Sequence, residues 1–190
     1  MNRNLIAVSI AAVAGVVAGA ALFSSDATSR ASAQPAASPV PASTTWAAAG
    51  KRERFTPENS VIVFVDHQTG LMNLVDNVDA KNFKNYVVGL GKLAKLHNMP
   101  VVITTSAEDG PNGPKIPEIV ELFPNTPIIA RPGQINAWDN ADFVKAIEAT
   151  GRKKLIVSGI TTDVCVAFVT LSALDAGYEV YVEADASGTM

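Results

Sequence analysis

Residues 154–168, KLIVSGITTDVCVAF, decide the fold of this chain. The run KLIVS is short, apolar and rich in β-branched residues, which is typical of a buried strand. A polar loop follows and leads into an apolar helical pattern that we predict over residues 162–176, ended by Gly177. A buried strand followed directly by a helix is the repeating unit of parallel α/β sheets.

The same alternation extends to both sides of this stretch. Four more short apolar runs predict strands at residues 60–65, 100–104, 127–130 and 179–183. Between them, apolar residues at helical spacing predict helices over 79–97, 116–122 and 139–149. Nearly continuous apolar strands with helical crossovers indicate a sheet covered on both faces. We therefore predict a three-layer α/β/α domain with a parallel sheet over residues 53–190.

The first 52 residues differ from the rest. Arg3 precedes an apolar run over residues 5–23, and an Ala-x-Ala pattern follows at 31–33. This layout predicts a secretory signal peptide over 1–33, although the run also approaches the length of an uncleaved membrane anchor. Residues 34–52 are rich in Ala, Ser and Pro and predict a linker. We expect a secreted or periplasmic protein, or one tethered to a membrane through residues 5–23.

Composition and charge exclude several classes of function. The formal net charge is -3 and the isoelectric point is about 5.3, without the basic patch that a nucleic-acid binder needs. The single cysteine cannot form an intramolecular disulfide. The two histidines, His67 and His97, show no spacing typical of metal ligands. We predict no metal, no cofactor and no nucleic-acid partner.

Reactive side chains follow three of the predicted strands, at the edge where parallel α/β sheets bind ligands. Asp66 follows the first strand, Arg131 follows the third, and Cys165 lies in the first turn of the helix after the fourth. A thiol at a helix N-terminus has a lowered pKa and is nucleophilic, and a carboxylate can accept its proton. A permanent cation can hold this pair together or bind a substrate carboxylate.

Each of these three residues also has an ordinary structural interpretation. A lone cysteine is often inert and buried, an aspartate after a strand often caps a turn, and an arginine often forms a surface ion pair. Their occurrence at one edge of one sheet favours function. We therefore predict Asp66, Arg131 and Cys165 as catalytic residues.

The remaining predicted site residues lie in neighbouring loops. The loop 159–164 is expected to present N–H groups to an oxyanion. Four side chains are candidates for the substrate pocket: Glu108, Asn136, Trp138 and Phe168. Glu108 is alternatively a solvated loop carboxylate, and Trp138 alternatively packs in the core or at a subunit contact. His67 is expected to have a structural role.

The chain resembles the isochorismatase-like cysteine hydrolases, and among them the YcaC-related subgroup, in five strings. They are VDHQTGLM (65–72), TTSAEDGPNGP (104–114), ARPGQINAWDNADFVKAI (130–147), SGITTDVCVAF (158–168) and DASGT (185–189). The resemblance covers about residues 55–190. It implies a Rossmann-like sheet, a small-molecule substrate and a homo-oligomer. It also implies a further helix and strand after DASGT, so we expect a domain that is incomplete at its C-terminus.

The resemblance also assigns roles to residues. Asp66 matches the base and Cys165 the nucleophile. Arg131 matches a position where the superfamily commonly has lysine and the subgroup has arginine. A non-proline cis peptide is implied between Thr161 and Thr162, in the loop that would hold the oxyanion. Related nicotinamidases bind zinc through histidines that this chain lacks, which again implies no metal.

Three functions stay open at this point. The first is hydrolysis of a small amide or related C–N bond through a thioester on Cys165. The second is vinyl-ether hydrolysis, as in isochorismatase itself, which does not require a cysteine nucleophile. The third is an oligomeric binding or scaffold protein with a vestigial site, because the arginine at position 131 cannot shuttle a proton as lysine does. The three-residue constellation favours the first.

Overall fold

A computed structural model describes residues 53–190 of the chain. The predicted signal peptide or anchor (1–33) and linker (34–52) lie outside the described residues and stay predictions. No helix within residues 53–190 combines the length and hydrophobicity that a membrane span requires.

Five strands and five α-helices alternate along the described chain. The strands are β1 (Ser60–Val65), β2 (Val101–Ser106), β3 (Ile128–Arg131), β4 (Lys154–Gly159) and β5 (Glu179–Val182). The helices are α1 (Thr69–Met72), α2 (Ala80–Leu96), α3 (Pro117–Leu122), α4 (Ala141–Ala149) and α5 (Ala167–Asp175). A 3-10 turn at Ala137–Asp139 precedes α4, and a π-helical turn at Thr162–Val166 precedes α5.

The strands form one parallel sheet in the order β3-β2-β1-β4-β5. All residues of β1 and β4 are buried, so these two strands form the centre of the domain. Ser60 pairs with Lys154 and Val65 with Gly159, which brings the carboxyl ends of the two strands level. The residues that follow β1 and β4 therefore emerge side by side at one edge of the sheet.

Helices cover both faces of the sheet. Ile62 and Phe64 of β1 pack against α2 and α3, whereas Val61 and Val63 point to the opposite face and pack against α4 and α5. This division follows from the alternation of side chains along a strand. The predicted three-layer α/β/α fold is therefore confirmed.

Two of the longer helices begin at side-chain caps. The Asp79 carboxylate accepts a hydrogen bond from the Asn82 N–H at 3.0 Å, at the start of α2. The Asn140 side chain accepts from the N–H groups of Asp142 and Phe143 at the start of α4. Such caps satisfy N–H groups that have no partner inside the helix.

Candidate active site

The carboxyl edge of the sheet brings the reactive residues together. Asp66 directly follows β1, Arg131 ends β3, and Cys165 lies in the π-helical turn after β4. Gly159 permits this close approach, because a Cβ atom there would lie 2.4 Å from the carbonyl oxygen of Val65. The backbone of Asp66 itself is left-handed, with φ of 56°, a region that aspartate tolerates better than most residues.

Asp66 and Arg131 form a fully buried ion pair, in which Arg131 Nη2 donates to Asp66 Oδ1. The other donors of the guanidinium are also engaged. Nε donates to Thr104 Oγ1 at 3.0 Å, and Nη1 donates to the carbonyl oxygens of Gln134 and Ile135. Arg131 is only 1% exposed. This arrangement orients Asp66 and leaves the guanidinium turned away from any substrate carboxylate.

Cys165 is half-buried, and its environment differs from the sequence-based expectation of a lowered pKa. Burial, the negative charge of Asp66 and a hydrogen bond to Asp66 together raise the pKa of the thiol to about 11. A backbone hydrogen bond from Thr161 and the charge of Arg131 act in the opposite direction and are outweighed. The predicted decrease in pKa was wrong because it considered only the position of Cys165 at the start of a helix, and not the carboxylate beside the sulfur. The thiol is therefore protonated at neutral pH and lies beside a carboxylate that can accept its proton.

The cis peptide joins Ile160 to Thr161, one residue before the predicted Thr161–Thr162 position. Ile160 is fully buried and its N–H donates to the Val65 carbonyl at 3.1 Å, so the residue before the cis bond is still held against β1. The N–H of Thr161 faces the cysteine sulfur. The N–H of Thr162 instead donates to the Gly188 carbonyl at 2.9 Å and serves the fold.

Cys165 lines a cavity of about 480 Å³, which lies within the size range of small-molecule sites. The walls are mainly apolar, with side chains such as Leu71, Ile135 and Val164. Asn112, Gln134 and Asp163 add polar groups. We call this space the Cys165 cavity. It is suited to a small ligand with an apolar part and one or two hydrogen-bonding groups.

Gln68 supports one wall of the Cys165 cavity, a role that the sequence did not reveal. Its buried amide donates to the Ser106 carbonyl at 2.9 Å and accepts from the Ser106 N–H at 2.8 Å. It also donates to the Gly113 carbonyl. Asn112 in turn donates to the Ser106 carbonyl at 3.0 Å. These bonds join the end of β2 to the turn at residues 110–114.

The structure does not bring the four predicted pocket residues to the walls of the Cys165 cavity. Glu108 is half-buried in the loop after β2. Trp138 packs edge-to-face against Phe143 and Tyr178, with ring centroids 6.0 and 5.6 Å away. Trp138 therefore packs in the core, which was one of the alternative interpretations of this residue.

Asn136 and Phe168 lie instead at a second cavity of about 460 Å³. Asn136 donates to Ser172 Oγ at 3.0 Å and accepts from the Trp138 N–H at 3.1 Å, so its amide holds the 3-10 turn against α5. His67 is fully buried, and its Nε2 atom is 2.9 Å from the Ala186 carbonyl oxygen, which indicates the structural role expected for it.

The fold and the site define a parallel α/β protein with a cysteine, a carboxylate and an arginine at the carboxyl edge of its sheet. A family model described as the isochorismatase domain matches residues 60–190, and the chain belongs to this family. The chain is 55% identical over 136 residues to the probable hydrolase YcaC of Escherichia coli K12. That match covers 72% of this chain and 65% of YcaC, so the chain spans just under two thirds of its relative. The predicted family and subgroup are confirmed.

Solved structures agree with this assignment. The crystal structure of E. coli YcaC, an octameric hydrolase of unknown specificity, matches with a TM-score of 0.72 and 54% identity, over 74% of this chain and 69% of that one. YcaC from Pseudomonas aeruginosa with hexane-2,5-diol and covalent acrylamide matches with a TM-score of 0.71 and 56% identity, over 72% and 68%. The nicotinamidase SaPncA of Staphylococcus aureus, at 12% identity and a TM-score of 0.58, shares the fold alone.

Proposed function

We propose that this protein is a cysteine hydrolase that cleaves a small amide or related C–N bond through a thioester on Cys165. One observation carries the proposal: a buried carboxylate, Asp66, is held by Arg131 on one side and lies beside the Cys165 thiol on the other. A nucleophile, a base and a group that orients the base are the parts that covalent hydrolysis needs. The cavity beside the thiol supplies room for the substrate.

The reaction begins with transfer of the Cys165 proton to Asp66. The sulfur then attacks the carbonyl carbon, and the resulting oxyanion accepts hydrogen bonds from backbone N–H groups beside the sulfur, such as that of Cys165 itself. Asp66 returns its proton to the departing amine as the C–N bond breaks. A water molecule attacks the thioester, Asp66 accepts a proton from that water, and the proton passes to the sulfur as the acid leaves. Arg131 holds the Asp66 carboxylate in place through these steps.

The charge of the Cys165 cavity favours an uncharged substrate. Among the described residues that line it, Asp163 has the one formally charged side chain, and it is an acid. Hydrogen bonds from Thr189 and Thr161 lower the pKa of Asp163, so its carboxylate is ionised. Arg131 does not line the cavity, and each of its three guanidinium nitrogens already donates to a protein group. A dicarboxylate such as isochorismate would meet repulsion without a compensating cation, so we prefer amide hydrolysis to vinyl-ether hydrolysis.

The P. aeruginosa relative supports a reactive thiol. That protein was solved with covalent acrylamide, and acrylamide is an electrophile of the type that thiolates attack. At 56% identity, the relative is close enough for the same chemistry to be proposed for Cys165 of this chain. A vestigial binding site would not require a thiol, a base and a cation in contact.

We further propose that the protein is a homo-oligomer. The E. coli relative is octameric. In this chain, Phe168, Leu171 and Leu174 of α5 are about half exposed, which is a large apolar surface for a short helix. Light scattering after size exclusion should give a mass of several chains, and a monomer at micromolar concentration would contradict this proposal.

Turnover of small neutral aliphatic amides tests the catalytic proposal. We expect ammonia release from the native chain, and mass spectrometry of quenched reactions should show the acyl group on the peptide that contains Cys165. Cys165→Ala should lower turnover at least about a thousandfold, because Cys165 is the single cysteine of the chain and no other thiol can form the thioester. Asp163→Asn is a matched control that alters the cavity charge but spares the nucleophile. Full activity of Cys165→Ala would disprove the mechanism, and turnover of isochorismate but no amide would favour the vinyl-ether reaction.

A further inference from the structure

A second basic side chain, Lys115, lies behind Asp66 and has no assigned role. Lys115 pairs with Gln68 in an isolated antiparallel bridge, and the neighbouring Ile116 N–H donates to the His67 carbonyl at 3.0 Å. The segment that contains Lys115 therefore runs directly beside the two residues that follow Asp66. The lysine is only 3% exposed.

The ammonium end of Lys115 is buried without a hydrogen-bond partner among the described residues. It lies 5.5 Å from the ring centroid of Phe64, close enough for a cation–π contact when it carries a proton. A buried amine that lacks hydrogen bonds costs stability, because its desolvation is not compensated. A methionine or leucine would fill the same space at lower cost, so packing alone does not account for a lysine here.

Three ionisable groups surround Lys115. Asp66 and His67 face it from the end of β1, and Glu108 faces it from the loop after β2. Burial lowers the pKa of Lys115 to about 7, and the charges of Asp66 and Glu108 oppose that decrease. Burial, followed by the charge of Lys115, lowers the pKa of His67 well below its usual value, so this histidine stays neutral. Lys115 therefore titrates near neutral pH, next to the carboxylate of the site.

We infer that Lys115 is a positioning residue that acts through Asp66, as a second buried cation whose positive charge adds to that of Arg131 beside the Asp66–Cys165 pair. Arg131 is the permanent cation that bonds Asp66 directly, and Lys115 adds its charge only once it is protonated. A positive charge near the Asp66–Cys165 pair opposes the binding of a further proton, whichever of the two residues would carry it. The inference rests on the proposed function, since it concerns the base of that reaction.

The rate of Cys165 alkylation by iodoacetamide, measured from pH 5 to pH 9, tests the inference. We expect Lys115→Met to react roughly three- to tenfold more slowly than the native chain at pH 5, because one nearby positive charge is lost. The two rates should agree within about twofold at pH 9, where the native lysine is neutral. The change in their ratio should centre near pH 7. Lys92→Met, on the exposed side of α2, is the matched control and should follow the native profile.

Profiles of Lys115→Met and native protein that superpose from pH 5 to pH 9 would overturn the inference. If the role of Lys115 were purely structural, Lys115→Met would instead change the rate of Cys165 alkylation by the same factor at every pH. Circular dichroism establishes that the variant is folded, and Lys115→Leu replaces it if it is not. A native Cys165 that fails to react at any pH would count against the proposed function, whereas a reactive Cys165 that is indifferent to Lys115 would count against this inference alone.

Titration of the native lysine gives an independent test that needs no variant at position 115. In protein labelled with 13C at the lysine ε carbon, one resonance should titrate near pH 7 and disappear from that range in Lys115→Leu or Lys115→Met. In Asp66→Asn the same resonance should titrate at lower pH, because the carboxylate that favours the ammonium form is gone. A Lys115 that titrates above about pH 9, or that ignores Asp66→Asn, would overturn the coupling on which the inference depends.

Discussion

Two buried lysines at opposite edges of the sheet have opposite electrostatic surroundings. Lys154 begins β4 at the N-terminal edge, is 5% exposed, forms an ion pair with Glu179 and donates to the Glu53 carbonyl at 3.0 Å. The hydrogen bond to Glu179 is the main cause of a raised pKa at Lys154. Lys115 at the carboxyl edge is also buried, but its amine has no hydrogen-bond partner within residues 53–190, and burial lowers its pKa to about 7.

This contrast indicates that the N-terminal edge of the sheet serves stability, whereas the carboxyl edge serves chemistry. At the N-terminal edge the buried charge of Lys154 is compensated. At the carboxyl edge several buried polar atoms lack hydrogen-bond partners among the described residues, among them Lys115 Nζ, His67 Nδ1 and Thr105 Oγ1. Each costs stability unless a ligand or a reaction uses it. Unsatisfied polar groups of this kind are typical of functional sites, where binding or catalysis requires arrangements that lower stability.

The largest loss of stability is expected when the carboxylate of Asp66, at the carboxyl edge, is removed. Asp66→Asn leaves the buried guanidinium of Arg131 without a counterion and should lower the free energy of unfolding by about 3–5 kcal/mol. The matched change at the other edge, Glu179→Gln, should cost clearly less, because Glu179 is partly exposed. Urea denaturation of both variants measures the difference. Equal losses would remove the distinction between the two edges.

The pH dependence of stability should differ in sign between the two lysines. Because the pKa of Lys115 is lowered on folding, the unfolded chain binds the extra proton between about pH 7 and pH 10.5, so this residue makes stability rise with pH in that window. Lys115→Met should remove the rise and stabilise the protein at pH 7 by on the order of 2–4 kcal/mol.

Lys154 should show the reverse behaviour. Its pKa is raised on folding, so its contribution to stability is present below the ordinary lysine pKa of 10.5 and is lost as the pH rises through the folded-state pKa. Lys154→Met should therefore lower the melting temperature at pH 7 and lose this effect in strong alkali. Thermal unfolding from pH 6 to pH 11 checks both variants. A folded Lys115→Met variant that is less stable than native protein by the same amount at every pH would contradict the predicted difference between the two lysines.

The smallest effect on stability is expected at an exposed ion pair, which serves as the reference for an ordinary surface charge. Lys145 and Asp142 form an ion pair at 3.3 Å in α4, with side chains 72% and 79% exposed. Lys145→Ala should change the free energy of unfolding by no more than about 0.5 kcal/mol, and less at high salt. Chemical denaturation at two salt concentrations measures this. A loss comparable to that of Asp66→Asn would show that charge alone, without burial, explains the larger effects.

Much of the fold could be predicted because its elements have strong local patterns. The bounds of β1 agree with the predicted strand, and α2 lies inside the predicted helix with Asp79 as its cap. The short helix α1 had no such pattern. It depends on long-range bonds, such as the one from the Gly70 N–H to the Asn112 carbonyl at 2.8 Å. The π-helical turn before α5 was equally hidden, since only the bonds from the Val166 and Ala167 N–H groups to the carbonyls five residues earlier distinguish it from an α-helix.

The site could be predicted in outline from the rule that ligands bind at the carboxyl ends of parallel strands. That rule led to Asp66, Arg131 and Cys165, which the structure places at one edge. It could not show how the guanidinium is used, because its partners include the backbone carbonyl oxygens of Gln134 and Ile135. Lys115 was missed because a lysine next to a Gly-Pro turn is usually solvated. In the fold its segment pairs with Gln68, and the side chain lies over the ring of Phe64.

The pH dependence of Cys165 alkylation in native protein and in Asp66→Asn tests whether Asp66 is the base that serves Cys165. Because the charge of Asp66 helps to raise the pKa of the thiol to about 11, its removal should shift the alkylation profile to lower pH. Amide turnover by the same variant should nevertheless fall at least about a hundredfold, since the base is lost. Greater thiol reactivity with loss of turnover is the result that the account predicts. An unshifted alkylation profile, or turnover that survives in Asp66→Asn, would contradict the assignment of Asp66 as the base of Cys165.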